Sequence, residues 1–206
     1  GVTHSIVVGH SWSGALAAAY ALRYPEHTAG LVLIAPVTHP WRGGISWYYK
    51  VATMPVVGPL FAHTLVLLLG LALIDRTTKA VFAPQRAPDN YIRRAAISLV
   101  LRPKQFLANA RDVAGLKKFV AAQAPRYWNL QTPTVVVTGD CDTTVSPKIH
   151  SRAVNAALPN ARLIVLEGVG HMPHHVAADV VVSAIDQLAS TATLSAEAAS
   201  RISPQP

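Results

Sequence analysis

The chain has 206 residues, 51% hydrophobic and 14% charged, which excludes a disordered, solvating chain and supplies the apolar side chains for a sizeable buried core. Eighteen Lys and Arg against ten Asp and Glu give a formal charge of +8. A single cysteine, Cys141, excludes an intrachain disulfide framework and any multi-cysteine metal site.

The sequence opens on Gly1 rather than methionine and passes at once into an apolar run. It is read as beginning inside a longer protein, with any targeting segment upstream. Residues 5–8 are short, apolar and β-branched, which predicts a buried strand. Residues 13–24 are Ala-rich, with Leu16, Tyr20 and Tyr24 four apart, and predict a helix ending before Pro25. Between them stands Val7-Val8-Gly9-His10-Ser11-Trp12-Ser13-Gly14. A serine on a sharp strand-to-helix turn is pushed out above the sheet, and its flanking positions must be small because the two backbones converge there. Gly9 and Ser13 meet that demand. Residues 31–34 predict a second strand.

A long insertion follows at 41–131, with thirteen basic and three acidic residues. It reads as mostly helical, with breaks at Pro55, Gly58, Pro59, Pro84, Pro88, Pro103 and Pro125. It is too long for an ordinary crossover and predicts a cap or lid. Its basicity suits a solvated face, an anionic membrane surface or a negatively charged substrate. It lacks the aromatic-interleaved stripe or module of a nucleic-acid binder, so no nucleic-acid partner is expected. Residues 54–74 carry no formal charge apart from a protonated His63. Breaks at Pro55, Gly58, Pro59 and His63 oppose a spanning helix, so the expectation is a buried or pocket-lining cap helix, with interfacial membrane contact as the alternative.

A third strand is predicted at 134–138, running into Gly139-Asp140-Cys141-Asp142-Thr143-Thr144-Val145. A helix over 147–158 and a strand over 162–166 follow, the latter running into Glu167-Gly168-Val169-Gly170-His171-Met172-Pro173. Residues 176–188 place Val176, Val180, Ala184, Ile185 and Leu188 on one helical face. The tail 190–206 is small and polar and is expected to be poorly ordered. Strands alternating with helices argue for an α/β fold with a parallel sheet.

Asp142 and His171 each follow a strand's carboxyl end, where open α/β sheets place their sites. Serine, acid, histidine is the chain order of the serine-elbow architecture. Asp140 is assigned to stabilising its turn, and His10 to packing, pointing away from the site. Ser13 is a poor rival nucleophile because Ser11 holds the apex. His150, His174 and His175 fit no closed metal site. Cys141, between two aspartates, is expected to resist forming a thiolate.

These motifs resemble the carboxyl-terminal part of an α/β-hydrolase-fold serine hydrolase with a helical cap. Gly9-His10-Ser11-Trp12-Ser13-Gly14 looks like the nucleophile elbow, departing from Gly-x-Ser-x-Gly at Ser13. Asp142 lies in what looks like the acid loop and His171 in the histidine loop. The resemblance implies Ser11 as nucleophile, His171 as general base, Asp142 as its orienting acid and the Trp12 backbone N–H as one oxyanion-hole donor. The second donor is expected upstream, together with the fold's early strands. The implied domains are a core part at 1–40 with the elbow, a cap at 41–131, a core part at 132–189 with the acid and histidine loops, and a flexible tail at 190–206. The implied activity is hydrolysis of a carboxylic ester or related hydrophobic acyl substrate through an acyl-enzyme, without cofactor or metal. Carbon–carbon hydrolase, perhydrolase or acyltransferase chemistry on the same residues, or a ligand-binding member of the fold, are the alternatives. The expected location is cytoplasmic or peripheral on an anionic membrane through the cap.

Overall fold

The computed structural model describes residues 4–202, with side-chain surroundings for residues 4–194. Among the described residues four strands, β1 (Ser5–His10), β2 (Thr28–Ile34), β3 (Thr134–Gly139) and β4 (Ala161–Leu166), pair in parallel in the order β1-β2-β3-β4. The helices in chain order are α1 (Trp12–Arg23), α2 (Trp47–Ala52), α3 (Val57–Phe82), α4 (Tyr91–Arg94), α5 (Pro103–Gln123), α6 (Ser151–Ala157), α7 (Pro173–Val176) and α8 (Ala178–Ile202). The chain divides into two compact units, Gly1–His39 with Ala122–Pro206, and Pro40–Ala121.

The first unit holds the sheet. Alternation along β2 sends Leu31 and Leu33 to one face and Val32 and Ile34 to the other. The first pair packs with Ala17, Ala18 and Ala21 of α1, with Tyr127 and Leu130, and with Val154 of α6. The second pair packs with Val135 and Val137 of β3 and with Val181, Ala184 and Leu188 of α8. A strand covered on both faces reads as an unbroken apolar run, which is how β2 and β3 appear in the sequence. Tyr127 and Leu130 are in this core, so the second unit stops at Ala121 rather than at Gln131. The helix predicted over 176–188 does not end there. After the short α7, α8 runs to Ile202, through part of the expected tail. Ala189, Ala192, Ala196, Ala198 and Ala199 favour helix, and the next breaker is Pro204. Residues 203–206 of that tail lie outside the described residues.

In the second unit α3 is one uninterrupted helix of 26 residues, not the broken segment expected. Pro55 precedes it. Pro59 is its third residue, where a missing N–H forfeits no intrahelical bond. Gly58 is needed because a Cβ there would lie 2.2 Å from the Ala52 carbonyl oxygen. His63 does not interrupt the ladder; its Nδ1–H donates to the Pro59 carbonyl at 2.8 Å. The helix buries only a narrow stripe that includes Ala62 and Val66, so it is not fully buried, but Phe61, Val66, Leu69 and Leu73 line an apolar cavity, the pocket-lining form of the expectation.

Candidate active site

The strand-to-helix turn sets the site. β1 ends at His10 and α1 begins at Trp12, leaving Ser11 as the N-cap with φ 53°. That left-handed conformation is strained for a residue with a Cβ and is held by its surroundings. The Ser11 N–H donates to the Ile34 carbonyl at 2.9 Å, and its carbonyl accepts from Gly14 and Val37 N–H, each at 3.0 Å. A Cβ on Gly9 would lie 2.6 Å from the Ser13 carbonyl oxygen, and one on Gly14 would lie 2.6 Å from Pro36. The close approach that a second glycine serves is thus made by Gly14. The Ser13 hydroxyl turns back instead, donating to the His10 carbonyl at 2.8 Å and accepting from the His10 N–H at 3.0 Å.

The Ser11 side chain makes no capping bond to α1. Its Oγ lies 2.9 Å from His171 Nε2, and His171 Nδ1 lies 2.7 Å from Asp142 Oδ2. A carboxylate only accepts, so Nδ1 carries the proton and Nε2 is free to accept from the serine. Asp142 and His171 are 5% and 4% exposed. The other carboxylate oxygen, Oδ1, accepts from Thr144 and Val145 N–H, each at 2.8 Å. Both oxygens are thereby aimed by the acid loop. Trp12 opens α1, so its N–H has no intrahelical acceptor and stands beside the serine at the positive end of the helix.

The remaining singled-out residues also find places. Asp140 Oδ1 accepts from the Gly168 N–H at 2.7 Å and so ties the acid loop to the histidine loop. Cys141 is exposed, and its hydrogen bond to Asp140 raises its thiol above the usual range. His10 does not point away from the site. Its Nε2–H donates to the His171 carbonyl at 2.9 Å, and its ring lies 4.8 Å from that of His171 and 4.4 Å from that of His174. Burial lowers the pKa of His10 and takes that of His174 to about 4, so both rings are neutral near pH 7. Sequence spacing missed this support because β1 extends two residues beyond its predicted end. Sequence reading also assigned His150 no structural role. Its Nδ1 accepts from the N–H groups of Thr38 and His39, each at 3.2 Å.

The second unit contains a cavity of about 280 Å³ lined largely by apolar and aromatic side chains, among them Tyr48, Tyr49, Phe61, Leu73 and Phe106. Tyr49 and Phe106 stack with ring centroids 6.2 Å apart, and Asn109 Nδ2 donates to the Tyr49 hydroxyl at 3.4 Å.

Comparison with known proteins gives a consistent pattern. The family described as alpha/beta hydrolase fold matches residues 1–178. The chain is 27% identical to Lipase 3 of Moraxella sp. (strain TA144) over 175 residues, covering 81% of this chain and 50% of that protein. It is 25% identical to Lipase 1 of Psychrobacter immobilis over 191 residues, covering 89% and 52% respectively. The chain thus spans about half the length of these curated relatives. A putative lipase from Acinetobacter baumannii AYE shares the fold with a TM-score of 0.67 at 20% identity, over 93% of this chain and 62% of that one. With an elbow serine after β1, a carboxylate after β3 and a histidine after β4 on a parallel sheet, the chain belongs to the alpha/beta hydrolase fold family.

Proposed function

We propose that the protein is a serine hydrolase that cleaves a carboxylic ester with an apolar acyl group. The observation that carries this reading is the unbroken row from Asp142 through His171 to Ser11, ending on a serine held at positive φ. Ser11 Oγ attacks the ester carbonyl as its proton passes to His171 Nε2. Asp142 holds the imidazole in the accepting tautomer and stabilises the imidazolium that forms. The Trp12 N–H and the amino end of α1 face the oxyanion that develops. The tetrahedral intermediate collapses, the proton goes from His171 to the departing alkoxide, and an acyl-Ser11 ester remains. Water attacks that ester, giving its proton to His171, and collapse returns the proton to Ser11 and releases the acid. The lipase relatives support an apolar acyl group.

The test is Ser11→Ala in the full-length protein, assayed with nitrophenyl esters of short and long acyl chains and with a fluorophosphonate probe. Hydrolysis is expected to fall by about 10⁴–10⁶-fold and labelling to vanish, with the far-UV spectrum unchanged. Labelling that persists would move the nucleophile elsewhere.

A further inference from the structure

Helix α3 is apolar around its circumference but covered along one side only. An eighteen-residue window of it has a mean hydropathy of 2.2, and 22% of that window is buried. A helix that is hydrophobic all round belongs in a core or in a membrane. Among the described residues, nothing covers Leu60, Leu67, Leu68 and Leu71, which are 64%, 51%, 68% and 50% exposed. The covered side is defined by Ala62, Val66 and Leu101, which form one apolar cluster. At Gly70 the Leu101 side chain occupies the space that a Cβ would need. The middle of α3 is therefore fastened to its own unit.

Length and charge define how such a helix meets lipid. The uncharged part, residues 57–74, is about 27 Å long, close to the roughly 30 Å of a bilayer's hydrocarbon core, so length and composition alone would allow crossing. It is the fastening at Ala62, Val66 and Gly70 that favours a helix lying along the surface. Asp75, Arg76 and Lys79 follow directly. The second unit carries twelve basic residues against three acidic ones, a balance of +9. Arg93 and Arg94 of α4, and Arg102 after the turn Ile97–Leu101, are exposed on segments that pack beside α3. Leu99 and Val100 of that turn are exposed as well. An apolar strip bordered by net positive charge complements an anionic lipid surface.

We propose that the second unit docks on an anionic bilayer with α3 lying along the headgroup–acyl boundary, Leu60, Leu67, Leu68 and Leu71 inserted, and the neighbouring arginines on lipid phosphates. The experiment is flotation of the full-length protein with vesicles of phosphatidylcholine alone or mixed with phosphatidylglycerol. Binding is expected to the anionic vesicles and to weaken with salt, each engaged basic residue contributing about fivefold in affinity. Leu68→Glu is expected to weaken binding by about tenfold or more, and Leu68→Ser to weaken it less, both variants keeping the native far-UV spectrum. Ser11→Ala is expected to bind normally, which separates this proposal from the hydrolase reading. In a background where Cys141 and any further cysteine of the full-length protein are replaced by Ser, Leu68→Cys is expected to react rapidly with a soluble maleimide and slowly once anionic vesicles are added. Four outcomes would overturn docking. These are no flotation, flotation indifferent to Leu68→Glu, slow labelling without lipid because other parts of the chain or a second copy cover α3, and resistance to both salt and alkaline extraction, which marks a spanning helix.

Discussion

His150 is a buried histidine whose role lies outside the reacting row. Its Nδ1 accepts two backbone N–H groups, and its own carbonyl accepts from the Thr38 hydroxyl at 3.0 Å. Protonating Nδ1 would set a third N–H against two others. Burial and the nearby His39 hold the pKa at about 4, below the ordinary 6.5. Between those two values the unfolded chain binds a proton that the folded one refuses. The stabilisation from a neutral His150 is therefore complete above about pH 6.5 and drains away as the pH falls towards 4. Urea midpoints measured at about pH 7 and pH 5 are expected to drop on acidification. His150→Gln, whose amide oxygen accepts but does not titrate, is expected to flatten that drop. Some slope will remain from His174, whose pKa is lowered in the same direction. An unchanged slope in His150→Gln would remove His150 from the acid response.

At the level of elements, two glycines make opposite predictions. Gly139 ends β3, and a Cβ there would lie 2.0 Å from the Val169 carbonyl oxygen, so the acid and histidine loops touch only because it has none. The same contact carries the Cys141 N–H to Val169 at 3.0 Å. Gly139→Ala is expected to cost about 1–3 kcal/mol, and to lower hydrolysis more than stability by parting Asp142 from His171. Gly115 sits inside α5 with nothing within 4 Å of its Cβ position. Gly115→Ala is expected to add about 0.5–1 kcal/mol through helix propensity alone. Chemical denaturation of both variants checks the pair. The strands and the loops after them were legible because each is a short apolar run stopped by a turn. The continuity of α3 was not, because Pro59 is harmless only in a helix that begins at Val57, and sequence spacing does not reveal that start. The place of Tyr127 and Leu130 was also hidden. Their partners Leu31 and Ala17 lie about a hundred residues away in sequence, and only long-range packing decides such a position.

Across the whole molecule, one hydrogen bond inside the first unit has a consequence for the second. The Tyr127 hydroxyl donates to the Thr38 carbonyl at 3.1 Å, and Gln123 Nε2 donates to that hydroxyl at 3.1 Å and to the Ala15 carbonyl at 3.0 Å. Burial raises the Tyr127 pKa to about 12, so the hydroxyl keeps its proton throughout the working range. The residues just before Pro40 and just after Ala121 are thus clasped together within the first unit. Closing a loop over such a stem costs only about 0.6 kcal/mol more for each doubling of its length. Replacing Pro40–Ala121 by a short Gly-Ser segment in the full-length protein is expected to leave cooperative thermal unfolding and to abolish vesicle binding. Loss of cooperativity would show that the first unit needs the second to fold. A clasp of this kind turns the insertion point into a socket. Whatever is plugged in can grow, shrink or change its surface over evolutionary time while the sheet keeps the same solution.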